Sequence, residues 1–314
     1  MKGGTSNHKD RPQKAKKRPA IPFKLLIAAV LIALLCVTWF SLQWWGRLQR
    51  ERSDHLQPLV VTNLEYCNGE KLDLTVPQGA AGKPLVVLVH GGGWQYGSKV
   101  GGAAPSFTKL TESGIAVASI NYRLSDRAQY PAQIHDIQCA VRFLKTNATL
   151  FGLDGNKIIL AGISSGANLV LMAGLSDGSY VQPKAQYNSI SSDVRGVVAL
   201  SAHYDLTDEK LAEETKENIQ KYLGPKGSKT DASPINHLGE ESKPLLLMHA
   251  KNDKNIPIEQ ARNFATQAQK LGVDTTLIEV SNANHNLSSL LRRDSPDQAE
   301  RLKLIADFVF ENTQ

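Results

Sequence analysis

The sequence predicts an α/β domain built on a mainly parallel sheet with helices on both faces. Three observations lead there. From about residue 84 onward, runs rich in Val, Ile and Leu alternate with stretches of helical period. Residues 84–90 (PLVVLVH) are apolar without alternation, as in a strand covered on both faces. Residues 157–175 (KIILAGISSGANLVLMAGL) read as a buried strand end, a tight turn, and a helix from Ala167 to Leu175.

Before that domain the chain is of another kind. Residues 1–24 hold eight basic residues against Asp10, while the other 290 hold 28 basic and 29 acidic ones. The net charge of +6 therefore belongs to this tail, and the main body offers no nucleic-acid surface. Residues 25–42 carry no charge, and as a helix they would cover about 27 Å, close to the thickness of a bilayer core. Trp39, Trp44 and Trp45 stand at the far end, where an aromatic belt belongs. The expectation is a transmembrane signal anchor at 25–45, a cytoplasmic tail at 1–24, a spacer at 46–58, and a catalytic domain at 59–314 outside the cytoplasm. A cleaved signal peptide fits less well, because the run is long and no A-x-A site follows. A lipoprotein fits poorly, because Leu35 precedes Cys36 where a small residue is wanted. A buried core helix fails on the basic and aromatic flanks.

Within the domain, residues 59–66 and 71–76 read as an antiparallel hairpin. After the strand at 84–90 come a helix at 103–112 closing at Gly114 and a strand at 115–120. Pro131 opens a helix whose apolar face is Ile134, Ile137, Val141 and Leu144. Beyond the central helix follow a strand at 194–200, a charged helix at 208–223 and a strand at 244–249. A helix at 258–271, a strand at 275–280 and a helix at 298–310 complete the domain. Only residues 206–234, with a few flanking ones, are free to form a cap, so the cap is small. No internal repeat of 20–50 residues is present. Of the three cysteines, Cys36 lies in the apolar run. Cys67 and Cys139 are expected as buried free thiols, with a disulfide the alternative outside the cytoplasm. No Cys/His spacing suits a metal.

In parallel sheets the working site lies beyond the carboxyl ends of the strands. Four stretches fall there: His90–Trp94, Ser164, the loop at Asp253 and the loop at His285. Gly162-Ile163-Ser164-Ser165-Gly166 fits G-x-S-x-G between strand and helix, where only small flanking residues allow so sharp a turn. A serine hydroxyl near neutral pH needs a base, and the base needs an anion to orient it. Ser164 is the candidate nucleophile, His285 the base and Asp253 the orienting acid. Asp205 competes for the acid, and His135 and His203 for the base. In His90-Gly91-Gly92-Gly93-Trp94, side-chain-free residues let N–H groups approach a developing oxyanion. Gly92, Gly93 and the N–H of Ser165 are the candidate donors. A phosphate-binding loop is the weaker reading, since neither G-x-G-x-x-G nor G-K-[ST] occurs.

HGGGW at 90–94, NYRL at 121–124, YPAQIHD at 130–136, AVRFL at 140–144, GISSG at 162–166, SPI at 233–235, HAKND at 249–253 and His285 together carry a resemblance. The chain resembles an α/β-hydrolase of the hormone-sensitive-lipase-like carboxylesterase group, including its bacterial acetyl- and feruloyl-esterase-like branch, over about residues 59–312. It departs from the group's frequent Asp-Ser-Ala-Gly-Gly at the elbow and His-Gly at the acid loop, having Ile163-Ser164-Ser165-Gly166-Ala167 and His249-Ala250. The resemblance implies hydrolysis of small-molecule carboxylic esters through an acyl-enzyme, with no metal or organic cofactor. With the anchor, it implies a bacterial inner-membrane protein whose catalytic domain is periplasmic or extracellular. The small cap points to short acyl chains. An amide hydrolase of arylformamidase type and a non-catalytic hydrolase-like interaction module remain alternatives.

Overall fold

The computed structural model describes residues 32, 34–45, 57–79, 81–175, 186–281, 283, 285 and 296–314. The chain divides into two units, residues 1–56 and 57–314. In the first, residues 34–45 are helical, and residues 25–31 and 33 of the anchor expected at 25–45 lie outside the described residues. Among the described residues no helix is long and apolar enough to cross a membrane.

The second unit is an eight-stranded sheet in the order β1-β2-β4-β3-β5-β6-β7-β8. The strands are β1 (Leu59–Glu65), β2 (Lys71–Val76), β3 (Lys83–Val89), β4 (Ala116–Ile120), β5 (Leu153–Ile163), β6 (Gly196–Leu200), β7 (Leu245–Ala250) and β8 (Thr275–Val280). The hairpin β1–β2 is antiparallel and β2 pairs antiparallel with β4, whereas every pairing from β4 through β8 is parallel. Among the described residues six α-helices accompany them: α1 (Ala104–Phe107), α2 (Ala132–Asn147), α3 (Ser165–Leu175), α4 (Glu213–Leu223), α5 (Ile258–Lys270) and α6 (Pro296–Asn312).

Residues 85–89 of β3, 158–161 of β5 and 196–200 of β6 are apolar without a break because both faces are covered. Leu85, Val87 and Val89 of β3 join one core, with Ile134, Ile137, Val141 and Leu144 of α2 and Phe264 of α5. Val86 and Leu88 point the other way, to Phe107 and to Ile305 and Val309 of α6. The period of two in a strand sends alternate residues to opposite faces, so a run that is apolar at every position needs two cores.

Some expected boundaries shift. The helix expected at 103–112 is one α-turn, α1, followed by a 3-10 segment Thr108–Ser113 that closes on Gly114 at φ +86°. The charged helix starts at Glu213 instead of 208, because Asp208 accepts the N–H of Lys210 in a turn. The central helix starts at Ser165, two residues before Ala167. Cys67 and Cys139 are joined in a disulfide, with Cα atoms 6.2 Å apart, where free thiols were expected. The reason is tertiary: the hairpin turn is held onto α2. Asp136 is buried in a bidentate pair with Arg123 (Nη2 to Oδ1 2.7 Å, Nε to Oδ2 2.8 Å), and Asn68 donates to the same carboxylate at 2.9 Å. These contacts bring Cys67 beside Cys139.

Candidate active site

Residues β5 to α3 form the turn on which the site is built. Ser164 has φ +55°, in the left-handed region, at a cost of about 1–3 kcal/mol that its surroundings must hold. A Cβ at Gly162 would lie 2.3 Å from the Gly166 carbonyl oxygen, and one at Gly166 would lie 2.4 Å from those of His90 and Val89. The glycines are thus required by the close approach of strand and helix. The Ser164 N–H donates to Leu200 at 2.9 Å, fixing the turn to β6.

Three side chains from three loops then meet. Ser164 Oγ lies 2.8 Å from His285 Nε2, and His285 Nδ1 lies 2.9 Å from Asp253 Oδ2. Asp253 follows β7 and is buried. Its Oδ1 accepts the N–H groups of Asn255 (2.9 Å) and Ile256 (3.0 Å). Burial pushes the Asp253 carboxyl up. The hydrogen bond and charge of His285, the Ile256 N–H and nearby His249 outweigh it, and the net shift is below the ordinary carboxylate value. Asp253 is therefore ionised at neutral pH and holds the hydrogen-bearing nitrogen of His285 at Nδ1, leaving Nε2 to accept from the serine.

The competitors go elsewhere. Asp205 Oδ1 accepts the N–H (2.8 Å) and hydroxyl (2.6 Å) of Thr207, as a turn residue does. His135 sits on α2, half-buried. His203 does reach the site, its ring centroid 6.2 Å from that of His285 and 4.9 Å from the Trp94 ring system. Burial, with the His285 charge next, lowers its pKa to about 3, so it stays neutral. It walls the site and does not touch the Ser164 hydroxyl.

A cavity of about 580 Å³ opens over Ser164, lined among others by Gly92, Gly93, His203, Asn218 and His285. Gly92 and Gly93 have φ +124° and +58°, values an L side chain rarely adopts. Ser165 opens α3, so its N–H has no acceptor one turn back within the helix. Of the six residues singled out by sequence, Gly92, Gly93, Ser164 and His285 line this cavity, whereas Asp253 stands behind His285 and Ser165 is buried at the start of α3. Sequence reasoning gave no role to Gln95 or Asn218, and weighed His203 only as a competing base. Only Trp94 carried a signal, through HGGGW.

This fold and this arrangement of serine, imidazole and carboxylate define an α/β-hydrolase. The chain belongs to the BD-FAE family, which it matches over residues 72–268, and to the wider esterase group resembled above. Similar proteins include the probable carboxylic ester hydrolase LipM of Mycobacterium tuberculosis, 30% identical over 226 residues, which cover 67% of this chain and 49% of LipM. The isoprenylcysteine alpha-carbonyl methylesterase ICME of Arabidopsis thaliana is 27% identical over 274 residues, covering 81% of this chain and 62% of ICME. The chain spans about half the length of the mycobacterial relatives it matches. Among solved structures, a truncated carbohydrate esterase from gut microbiota aligns with TM-score 0.70 and 25% identity, covering 81% of this chain and 96% of that one.

Proposed function

We propose that the protein is a membrane-anchored serine esterase that cleaves carboxylic esters of short acyl chains through an acyl-enzyme. The observation that carries this reading is the unbroken path from Asp253 through His285 to Ser164, at 2.9 and 2.8 Å, beside a glycine turn. Ser164 Oγ attacks the ester carbonyl carbon while His285 Nε2 takes its proton. The carbonyl oxygen gains the negative charge and is met by the N–H groups of Gly92, Gly93 and Ser165, each worth about 3 kcal/mol in such sites. The imidazolium gives its proton to the departing alkoxide, leaving an ester on Ser164. Water, deprotonated by the same imidazole, then releases the acid. The esterase names of LipM and ICME support the class of reaction.

The short-chain preference rests on the cap. Between the end of β6 and the start of β7 lie one α-helix of 11 residues and two short 3-10 segments, too little for a deep apolar acyl tunnel. The expected result for the full-length protein in detergent is hydrolysis of p-nitrophenyl acetate that falls as the acyl chain lengthens. Ser164→Ala should lower turnover by about 10⁴-fold or more. Faster turnover of a formylated aromatic amide than of any ester would replace the reading with the arylformamidase one. A folded protein that neither turns over esters nor takes a fluorophosphonate on Ser164 would leave the non-catalytic module.

The anchor is proposed at residues 25–45, with the N-terminus cytoplasmic and the catalytic domain on the periplasmic or outer side of a bacterial inner membrane. The uncharged run, the basic residues before it and the tryptophans at its end support this. So does the Cys67–Cys139 disulfide, which belongs in an oxidising compartment. Membrane fractionation, with protease added to intact spheroplasts, tests it: full-length protein should sediment with membranes and lose its catalytic domain to the protease. Protein that stays protected, or is found in the soluble fraction, would refute the placement.

A further inference from the structure

The turn that presents Gly92 and Gly93 is held from the cap. Gly92, Gly93 and Trp94 have φ of +124°, +58° and +60°. Three successive left-handed residues, one of them a tryptophan, persist only where their surroundings over-determine them. Part of the hold is local. Gly92 O accepts the N–H groups of Gln95 (3.1 Å) and Tyr96 (3.0 Å), and Trp94 O accepts the N–H and hydroxyl of Ser125, both at 2.9 Å.

The rest comes from α4. The Asn218 carboxamide lies so close to Gly93 that a Cβ there would sit 2.7 Å from Asn218 Nδ2. Asn218 Oδ1 accepts a hydrogen bond from Gln95 Nε2. One turn further along the same face, the Tyr222 ring stacks on Trp94, with centroids 4.6 Å apart and planes 7° from parallel. The end of α4 is itself tied down, since Tyr222 O accepts the Tyr130 N–H at 2.9 Å. Gly93, Trp94 and Gln95 are thus each gripped by one helix face.

We propose that Asn218 is a positioning residue for ester hydrolysis: with Tyr222 it clamps the turn at 92–95 so that the N–H groups of Gly92 and Gly93 face the developing oxyanion. The cap then serves the transition state as well as covering the substrate. This inference rests on the reading of Ser164 as nucleophile and of Gly92 and Gly93 as oxyanion donors. Its signature is kinetic. A loosened turn leaves the ground-state ester bound much as before and weakens only the tetrahedral state, so kcat falls and KM does not.

The test compares wild type, Ser164→Ala, Asn218→Ala, Gln95→Ala and the Asn218→Ala/Gln95→Ala pair, each full-length. Three quantities are read: kcat and KM on p-nitrophenyl acetate, Ki for an aliphatic trifluoromethyl ketone, and Tm. The ketone adds to the serine and places an oxyanion in the same pocket. For Asn218→Ala the expected result is a fall in kcat of about 10- to 100-fold, as a small misplacement of a reacting geometry gives. KM should stay within about threefold, and Ki should rise in step with the loss in kcat/KM. Gln95→Ala should show a smaller loss of the same kind, and the pair should lose less than the product of the two. A kcat within about twofold of wild type in Asn218→Ala, with Ser164→Ala inactive, overturns the proposal and leaves the esterase reading intact. A rise in KM alone overturns it too, making Asn218 a substrate contact. Should Asn218→Ala fail to fold, Gln95→Ala decides, since an unchanged kcat and Ki there overturn the clamp. Activity surviving in Ser164→Ala would remove the esterase reading itself.

Discussion

Asp253 and His203 face the same imidazole with opposite electrostatic fates. Asp253 keeps its charge because N–H groups and His285 compensate its burial, whereas burial, with the His285 charge next, keeps His203 neutral. Replacing Asp253 by Asn removes the charge and offers the wrong hydrogen-bond partner to Nδ1. The expected loss in kcat is about 10⁴-fold, with KM little changed, read by steady-state kinetics on an acetate ester. His203 bears on acid stability. Its folded pKa of about 3 lies below the unfolded value of about 6.5, so the unfolded chain binds a proton that the native one refuses. Stability is fully present above pH 6.5 and drains as pH falls toward 3. A Tm series from pH 7 to 4 should therefore drop less steeply in His203→Gln than in wild type, and an identical slope would contradict the assignment.

Among the elements, the strand-turn-helix from β5 to α3 was the most legible, because its constraint is local. Two glycines four residues apart, with a serine midway between them, state the close approach directly. Gly166→Ala should cost on the order of 3 kcal/mol or more, since its methyl would meet two carbonyl oxygens at 2.4 Å. Gly239→Ala, where nothing lies within 4 Å, should cost less than about 0.5 kcal/mol. Urea unfolding of the two variants makes the comparison. The motifs NYRL and YPAQIHD were legible only as marks of resemblance. Their work here is structural, since part-exposed Arg123 and buried Asp136 form the ion pair that seats the hairpin turn on α2. The start of α4 was misread because Asp208 forms a local turn that helical periodicity does not register.

Over the whole second unit, the disulfide closes a separation of 72 residues between the hairpin and α2. In the chain-entropy account such a loop contributes about 4 kcal/mol by restricting the unfolded chain. Cys67→Ala/Cys139→Ala should therefore lower Tm by several degrees and abolish the effect of a reductant on Tm, with turnover at 25 °C unchanged. A Tm equal to wild type would mean that the contacts of Asp136 with Arg123 and Asn68 hold the junction without the disulfide.

By itself the sequence determined the alternation of strands and helices, the two-faced burial of the central strands, the elbow at Ser164 and the order of the three candidate side chains. Each is written in a period or spacing of a few residues, where backbone sterics act. Tertiary structure alone decided that Cys67 meets Cys139, that His203 walls the cavity, and that Asn218 and Tyr222 back the glycine turn. Those relations join residues far apart in the chain. Their energies come from burial and pairing across the packed interior, which no local pattern encodes.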